Sequence, residues 1–291
     1  MIEIVTAGME ATVQDQGRCG WAHLGVPRAG AADLGALALA NRLVGNPADA
    51  AAIEFLLGNF SVRFKDPTSF ALTGAPVPVI LDGRTINMNT TTHAAAGQEL
   101  VAERAIYGLR TYLSIAGGIE AELVLGSRST DTLSGLGPTK LKDGDVLPVG
   151  TDKCVPGAPT DVVVENASVA GEIEVRFTRG PRAEYLSDEA QTLFESARWT
   201  VTSDINRVGA RLEGPQLEYA ADEQLPSEGM LVGSVQVPAS GQPIVFLANH
   251  PPSGGYPIVG VVVSADVAKI AQAPPGKVLR FIAVPRDHFA G

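Results

Sequence analysis

The chain has 291 residues, 45% of them hydrophobic, enough to bury a full core as one large domain or two ordinary ones. Lysine and arginine number 22 against 32 acidic residues, and the net charge of −10 disfavours nucleic-acid phosphates and anionic lipid as partners. No apolar run approaches the roughly 18 residues of a spanning helix, and the start, MIEIVTAGME, lacks the basic and apolar regions of a secretion signal, so a cytosolic protein is expected.

The chain opens on a strand-like run at 2–6. Residues 32–44 read as a helix that sets Leu34, Leu37, Ala38 and Asn41 along one stripe, with Gly45-Asn46-Pro47 as its stop. Strands are expected at 60–64, 70–73 and 77–81, the last running into Asp82-Gly83, a pair that tolerates the positive φ angles of a type I′ hairpin turn. After a strand at 110–116, residues 149–170 are rich in glycine, proline and small polar residues, which predicts a domain boundary. Beyond it come strands at 172–178, 244–248 and 259–264, a helix at 188–197 capped by Ser187, and a helix at 266–272 stopped by Pro274-Pro275-Gly276. With 32 glycines and 20 prolines to connect short strands, the fold class is mainly β with a few short helices.

A spaced motif occurs twice. Asp15-x-x-Arg18-x-Gly20-x4-Gly25 recurs at one constant offset as Asp204-x-x-Arg207-x-Gly209-x4-Gly214, a pattern expected of two related domains. The first copy lies in a glycine-rich segment, QDQGRCGWAHLGVPRAGAAD, that lets backbone approach a ligand closely. There Arg18, Arg28 and exposed N–H groups suit a carboxylate or phosphate, His23 suits proton transfer, and Asp33 either caps the next helix or orients a base. The competing reading pairs Asp15 with Arg18 merely to fix the loop.

A second candidate, Leu125-Gly126-Ser127-Arg128-Ser129-Thr130-Asp131, sets hydroxyls around one guanidinium and suits an oxyanion; Arg128, Ser129 and Thr130 are its donors. It is not a P-loop. In the second half, a strand carrying Arg207, Gly209 and Arg211 would present all three on one face, with Glu213 or Glu228 to answer the charge; Gln236 lies nearby in sequence. Asn249-His250-Pro-Pro-Ser-Gly254-Gly255-Tyr256-Pro257 reads as a rim or lid, or as an ordinary turn. Two cysteines, Cys19 and Cys154, without CxxC spacing, and scattered histidines predict neither disulfide nor metal centre.

At these same residues the sequence resembles the allophanate-hydrolase-subunit-2 family, which includes the C subunit of prokaryotic 5-oxoprolinase and the carboxyltransferase half of urea carboxylase. The matching stretches include TVQDQGRCGWAHLGVPRAGAAD, ANRLVGNPADAAAIEF, LGSRST, LKDGDVLPVG, NRVGARLEGP, PSEGMLVGSVQVPASGQPIVFLANH and GGYP, in family order over nearly the whole chain. The resemblance implies two tandem cyclophilin-like β-barrel domains, 1–160 and 171–291, without implying isomerase activity. It implies a partner like allophanate hydrolase subunit 1 and, for 5-oxoprolinase, the barrel-type A subunit as well.

The implied chemistry is ATP-dependent hydrolysis of a cyclic amide, in which phosphorylation of a lactam oxygen precedes ring opening. ATP with Mg²⁺ would then act at the level of the complex. Arg18, Arg128, Ser129, Thr130, Arg207, Arg211, Gln236 and Tyr256 are expected to bind substrate or phosphate, His23, Asp33 and Glu228 to serve catalysis, with Asp33 or Glu228 available to magnesium or water. A carboxyltransferase role is the alternative; the chain lacks the Met-Lys-Met carrier motif, so biotin would arrive on another protein. A third alternative is a regulatory module that antagonises a kinase inhibitor. The chain departs from the common pattern in Asn249-His250-Pro251-Pro252-Ser253, where many relatives read Asp-Arg-Gln-Thr-Thr, and in Asp131-Thr-Leu-Ser-Gly-Leu-Gly-Pro138.

Overall fold

A computed structural model of the chain describes residues 1–151, 171–220 and 225–285. Its contacts gather into two compact units, Met1–Cys19 with Ala29–Ser168, and Gly20–Arg28 with Val169–Gly291. The expected boundary segment between 160 and 171, like Cys154, lies outside the described residues.

The first unit holds β1 (Ile2–Thr6), β2 (Ala11–Gln14), α1 (Leu34–Leu43), β3 (Ala52–Leu56), β4 (Phe60–Phe64), β5 (Thr68–Gly74), β6 (Val79–Leu81), β7 (Arg84–Ile86), β8 (Thr92–Ala94), β9 (Glu99–Ala102), β10 (Arg110–Ile115) and β11 (Val146–Leu147). They form two antiparallel sheets, ordered β11-β1-β4-β9-β6-β7 and β2-β3-β10-β5-β8. Alternate residues of both sheets share one core: Ile2 and Ile4, Phe60, Val62 and Phe64 from the first, Ile53, Phe55, Phe70, Leu72, Leu113 and Ile115 from the second. Stacked pairs Phe55–Phe60 and Phe64–Phe70, with centroids 4.4 and 4.9 Å apart, hold the sheets face to face. The β6–β7 hairpin turns through Asp82 (φ 48°) and Gly83 (φ 81°), the positive angles that the Asp-Gly pair foretells.

α1 covers the outer face of the second sheet, so β10 is buried along its whole length. The helix begins where Asp33 accepts a hydrogen bond from Ala36 N at 2.9 Å. Its buried positions are Leu37, Ala40 and Asn41, packed on Ala52 and Tyr112. The expected stripe is therefore corrected: Leu34 and Ala38 face outward. The reason is that Asn41 is an inward polar anchor, its Oδ1 accepting from Ser114 Oγ at 2.8 Å, and Leu37 and Ala40 flank it at helical spacing.

The second unit holds β12 (Ile173–Arg179), α2 (Asp188–Ser196), β13 (Trp199–Ile205), β14 (Gly209–Glu213), β15 (Glu228–Gly229), β16 (Ser234–Gln236), β17 (Ile244–Phe246), β18 (Ser253–Gly254), β19 (Ile258–Val262), α3 (Ser264–Ala271) and β20 (Val278–Ala283). Seven strands close a barrel in the order β12-β19-β16-β17-β14-β13-β20, sealed by parallel pairing of β20 with β12; β15 and β18 make a separate ribbon. α2, capped by Ser187, packs Phe194 edge-on against Phe177 at 5.2 Å and stacked on Phe281 at 4.5 Å, and its Phe194 carbonyl accepts from Trp199 Nε1. The chain is thus mainly β, as its composition and strand runs predict, and among the described residues no helix is long and apolar enough to cross a membrane.

Candidate functional site

In the first unit, the end of β2 leads into Asp15, a carboxylate with only 5% of its surface exposed. Its Oδ1 accepts from Gly17 N (2.7 Å), Ser127 Oγ (2.6 Å) and Ser129 Oγ (2.5 Å), and its Oδ2 from Arg128 N (2.5 Å). Four donors thus answer the two oxygens of this buried carboxylate. Arg18 is buried too. Its Nε bonds Val124 O (3.3 Å) and its Nη2 bonds Ser129 O (2.6 Å). The expected Asp15–Arg18 pair is therefore replaced: the two side chains grip the VLGSRS segment separately, one by its N–H and hydroxyl groups, the other by its carbonyls. Burial pulls the Arg18 pKa down, and the charges of Asp131 and Asp15 partly restore it.

The gripped segment turns through Leu125 (φ 54°) and Gly126 (φ 81°), bridged by Val124 and Ser127. Asp131, also buried, folds the next turn by accepting from Leu133 N, Ser134 N and the Ser134 hydroxyl. Gly137 closes it; with φ at 78°, an added Cβ would lie 2.2 Å from Ser129 O. Arg18 Nη1, Gln14 Oε1 and Thr130 Oγ1 are buried polar atoms without a hydrogen-bond partner among the described residues.

Of the anion donors expected here, Arg18 and Ser129 are thus spent on the scaffold and Thr130 is buried. Arg128 differs. It is half-buried, its Nε donates to Ala121 O at 3.1 Å, and no described residue bonds its terminal nitrogens. Such an edge matches two oxygens of a carboxylate or phosphate.

In the second unit, His23 is exposed and its Nδ1 lies 3.0 Å from Gly20 O, a carbonyl that can only accept, so Nδ1 is the donor in that contact. Arg207 and Arg211 do not share a face. Arg207 precedes β14 and is buried, with Nε on Asn249 Oδ1 at 2.9 Å, while Arg211 is exposed and pairs with Asp204 at 3.0 Å. The strand reading fails because the chain turns at 206–208, so the period of two does not extend back to Arg207. Neither Glu213 nor Glu228 answers Arg211; Glu228 is bonded to Arg182, whose hydrogen bonds lower the Glu228 pKa. Gln236 is buried and donates to Tyr256 O at 2.9 Å, which leaves the half-exposed Tyr256 ring at the surface. His250 is buried with Nδ1 on Pro251 O; burial, and then the Arg28 charge, depress its pKa against the carbonyl's opposing pull.

Magnesium finds no prepared set here. Asp33 is committed to the α1 cap and Glu228 to Arg182, and no group of three or more acidic, histidine or cysteine side chains converges among the described residues.

Comparison with known proteins places this architecture. The family model for carboxyltransferase domain, subdomain A and B, matches residues 24–283. The chain belongs to that carboxyltransferase family. It is 39% identical over 285 residues to the C subunit of 5-oxoprolinase from Escherichia coli (strain K12), covering 97% of this chain and 91% of that protein. Its fold is similar to the crystal structure of TTHA0988, with a TM-score of 0.86, 32% identity and 97% of this chain covered, but only 55% of the other. It is likewise similar to Kluyveromyces lactis urea carboxylase, with a TM-score of 0.89 and 27% identity over 98% of this chain, which spans 27% of that longer one.

This carboxyltransferase-family chain also carries a buried network that sequence reasoning missed. Glu54 Oε2 accepts from Tyr112 OH (2.7 Å) and Ala32 N (3.0 Å), Tyr112 OH accepts from Asp33 N (2.8 Å), and Arg110 Nε lies 3.4 Å from Glu54 Oε1. A signal was present: Glu54 is a lone carboxylate inside the apolar run AAIEF, a placement that demands a buried partner.

Proposed function

We propose that this chain is the C subunit of a 5-oxoprolinase, a hydrolase complex that uses ATP to open 5-oxoproline to glutamate through a phosphorylated intermediate. The observation that carries the reading is the end-to-end match to the Escherichia coli protein of that name, 97% of one chain against 91% of the other. A lactam carbonyl is a poor electrophile, and transfer of a phosphoryl group from ATP to its oxygen creates the leaving group that water then displaces. Within this chain, Arg128 on the Asp15-held turn binds an oxyanion of substrate or nucleotide. His23, with Nε2 open, is the candidate base. ATP with Mg²⁺ acts at the level of the complex.

The active unit includes an allophanate hydrolase subunit 1-like partner and the barrel-type A subunit of 5-oxoprolinase, and the chain alone does not turn over. The test is ATP hydrolysis by the reconstituted complex with and without 5-oxoproline, for the native chain and Arg128→Ala. Hydrolysis that depends on 5-oxoproline and falls with the variant supports the reading; hydrolysis indifferent to 5-oxoproline overturns it.

A second reading is a carboxyltransferase component of a biotin-dependent urea or amide carboxylase, supported by the family match and by the TM-score of 0.89 with urea carboxylase. Biotin would arrive on another protein. Urea-dependent turnover only in the presence of a biotinylated carrier would favour it, and a complex that forms without any turnover would favour a regulatory binding module.

A further inference from the structure

We infer that Asp15 is a positioning residue for anion recognition by Arg128, an inference that rests on the reading of Arg128 given above. The two oxygens of the Asp15 carboxylate do different jobs. Oδ1 gathers Gly17 N, Ser127 Oγ and Ser129 Oγ and so builds the turn. Oδ2 takes one donor, the backbone N–H of Arg128, at 2.5 Å. Ser129 is bracketed from both sides, because its hydroxyl donates to Asp15 Oδ1 and accepts from Asp15 N at 3.0 Å. The backbone that carries Arg128 is therefore fixed on both sides of its Cα.

The charge distribution has the same direction. Asp15 forms no ion pair with the Arg128 guanidinium among the described contacts; its negative charge is absorbed by four N–H and O–H donors, with Arg18 close enough to be stabilised by it. An arginine paired with its positioning acid would have to break that pair before binding an anion. Here the guanidinium is tethered only by Nε to Ala121 O, at the side away from its terminal nitrogens. The open edge is pre-set for a planar, two-oxygen partner at little entropic cost. Both the substrate carboxylate and a nucleotide phosphate have that chemistry.

Asp15→Asn separates the two jobs. The amide oxygen can keep the three Oδ1 bonds, but the NH₂ that replaces Oδ2 meets the Arg128 N–H, donor against donor. In the reconstituted complex, with KM for 5-oxoproline and KM for ATP measured separately, Asp15→Asn and Arg128→Ala should each raise the same one of the two constants by about tenfold, the loss expected of one charge-assisted hydrogen bond. kcat should change far less. The double variant should be no worse than Arg128→Ala alone. Whichever KM moves identifies the anion as substrate or nucleotide.

Additive losses in the double variant, or a fall in kcat with KM unmoved in Asp15→Asn, would overturn the inference while leaving the function intact. An Arg128→Ala complex with unaltered kinetics would overturn the site reading itself. If Asp15→Asn does not fold, Asp15→Glu, which keeps the carboxylate but carries it one methylene away from the Arg128 N–H that Oδ2 holds, takes its place in the same cycle with the same outcomes.

Discussion

Tyr112 and Glu54 stand directly opposite each other on β10 and β3, and the tyrosine hydroxyl donates to Glu54 Oε2 at 2.7 Å while accepting from Asp33 N at 2.8 Å. One phenol oxygen therefore joins two strands of a sheet to the start of α1. Tyr112→Phe removes both the acceptor of the Asp33 N–H and the donor to Glu54 Oε2 from a fully buried side chain. The expected cost is about 1–3 kcal/mol, read as a lower midpoint in urea. Burial, followed by the charges of Glu54 and Asp33, raises the Tyr112 pKa well above its ordinary value. Stability from this group is thus complete below the unfolded-state pKa of about 10 and lost as the pH rises beyond it. Tyrosinate absorbance from Tyr112 should appear only with unfolding.

Gly137 meets the carbonyl that Arg18 holds. A Cβ there would lie 2.2 Å from Ser129 O and 3.0 Å from Arg18 Nη2, on backbone with φ at 78°. Gly137→Ala should displace the Arg18–Ser129 bond and cost at least about 1–3 kcal/mol for the strained backbone. Gly135→Ala is the control: its φ is 76°, but nothing lies within 4 Å of the added methyl. Thermal melts of the two should differ, with the Gly137 variant the lower.

Arg207 and Arg211 offer a paired test of burial against exposure. Arg207 is 2% exposed and bonds Asn249, whereas the Arg211 side chain is 58% exposed and pairs with an exposed Asp204. Arg207→Ala should destabilise the barrel by at least about 2 kcal/mol through the cavity and the abandoned acceptor. Arg211→Ala should stay within about 0.5 kcal/mol. Equal effects in urea titrations would contradict this assignment.

The contrast between these arginines also marks what the sequence makes legible. Strands 2–6 and 60–64 and the Asp82-Gly83 turn are local matters, set by alternation and by two residues that accept positive φ. The LGSRST segment was legible as a cluster of donors, since hydroxyls beside a guanidinium suit an acceptor. Its acceptor proved to be Asp15, distant in sequence, and no periodic pattern specifies such a contact. The recurring motif places its two copies in different surroundings. Arg18 and Arg207 are both buried, yet Asp15 is enclosed and Asp204 lies at the surface of β13. Spacing matched while environment did not, because β2 ends before Asp15 whereas β13 continues through Asp204.

Acid should strike the second unit through Asp266. This α3 carboxylate is buried, and burial alone would raise its pKa. Hydrogen bonds from the Arg176 side chain and backbone, at 2.8–2.9 Å, and from Lys269 outweigh that and hold it well below the ordinary carboxylate range. A depressed folded-state pKa means that its stabilisation is present above the unfolded value of about 3.9 and is lost as the pH falls below it. Asp266→Asn keeps the shape but presents one donor to Arg176, so it should cost about 1.5–3 kcal/mol at neutral pH. The same variant should flatten the acid limb of the stability curve, because the titrating group is gone. Urea unfolding of native and variant proteins between pH 7 and pH 3 reads both effects, and a constant difference between them across that range would mean that Asp266 is not the group whose protonation loosens α3 from β12.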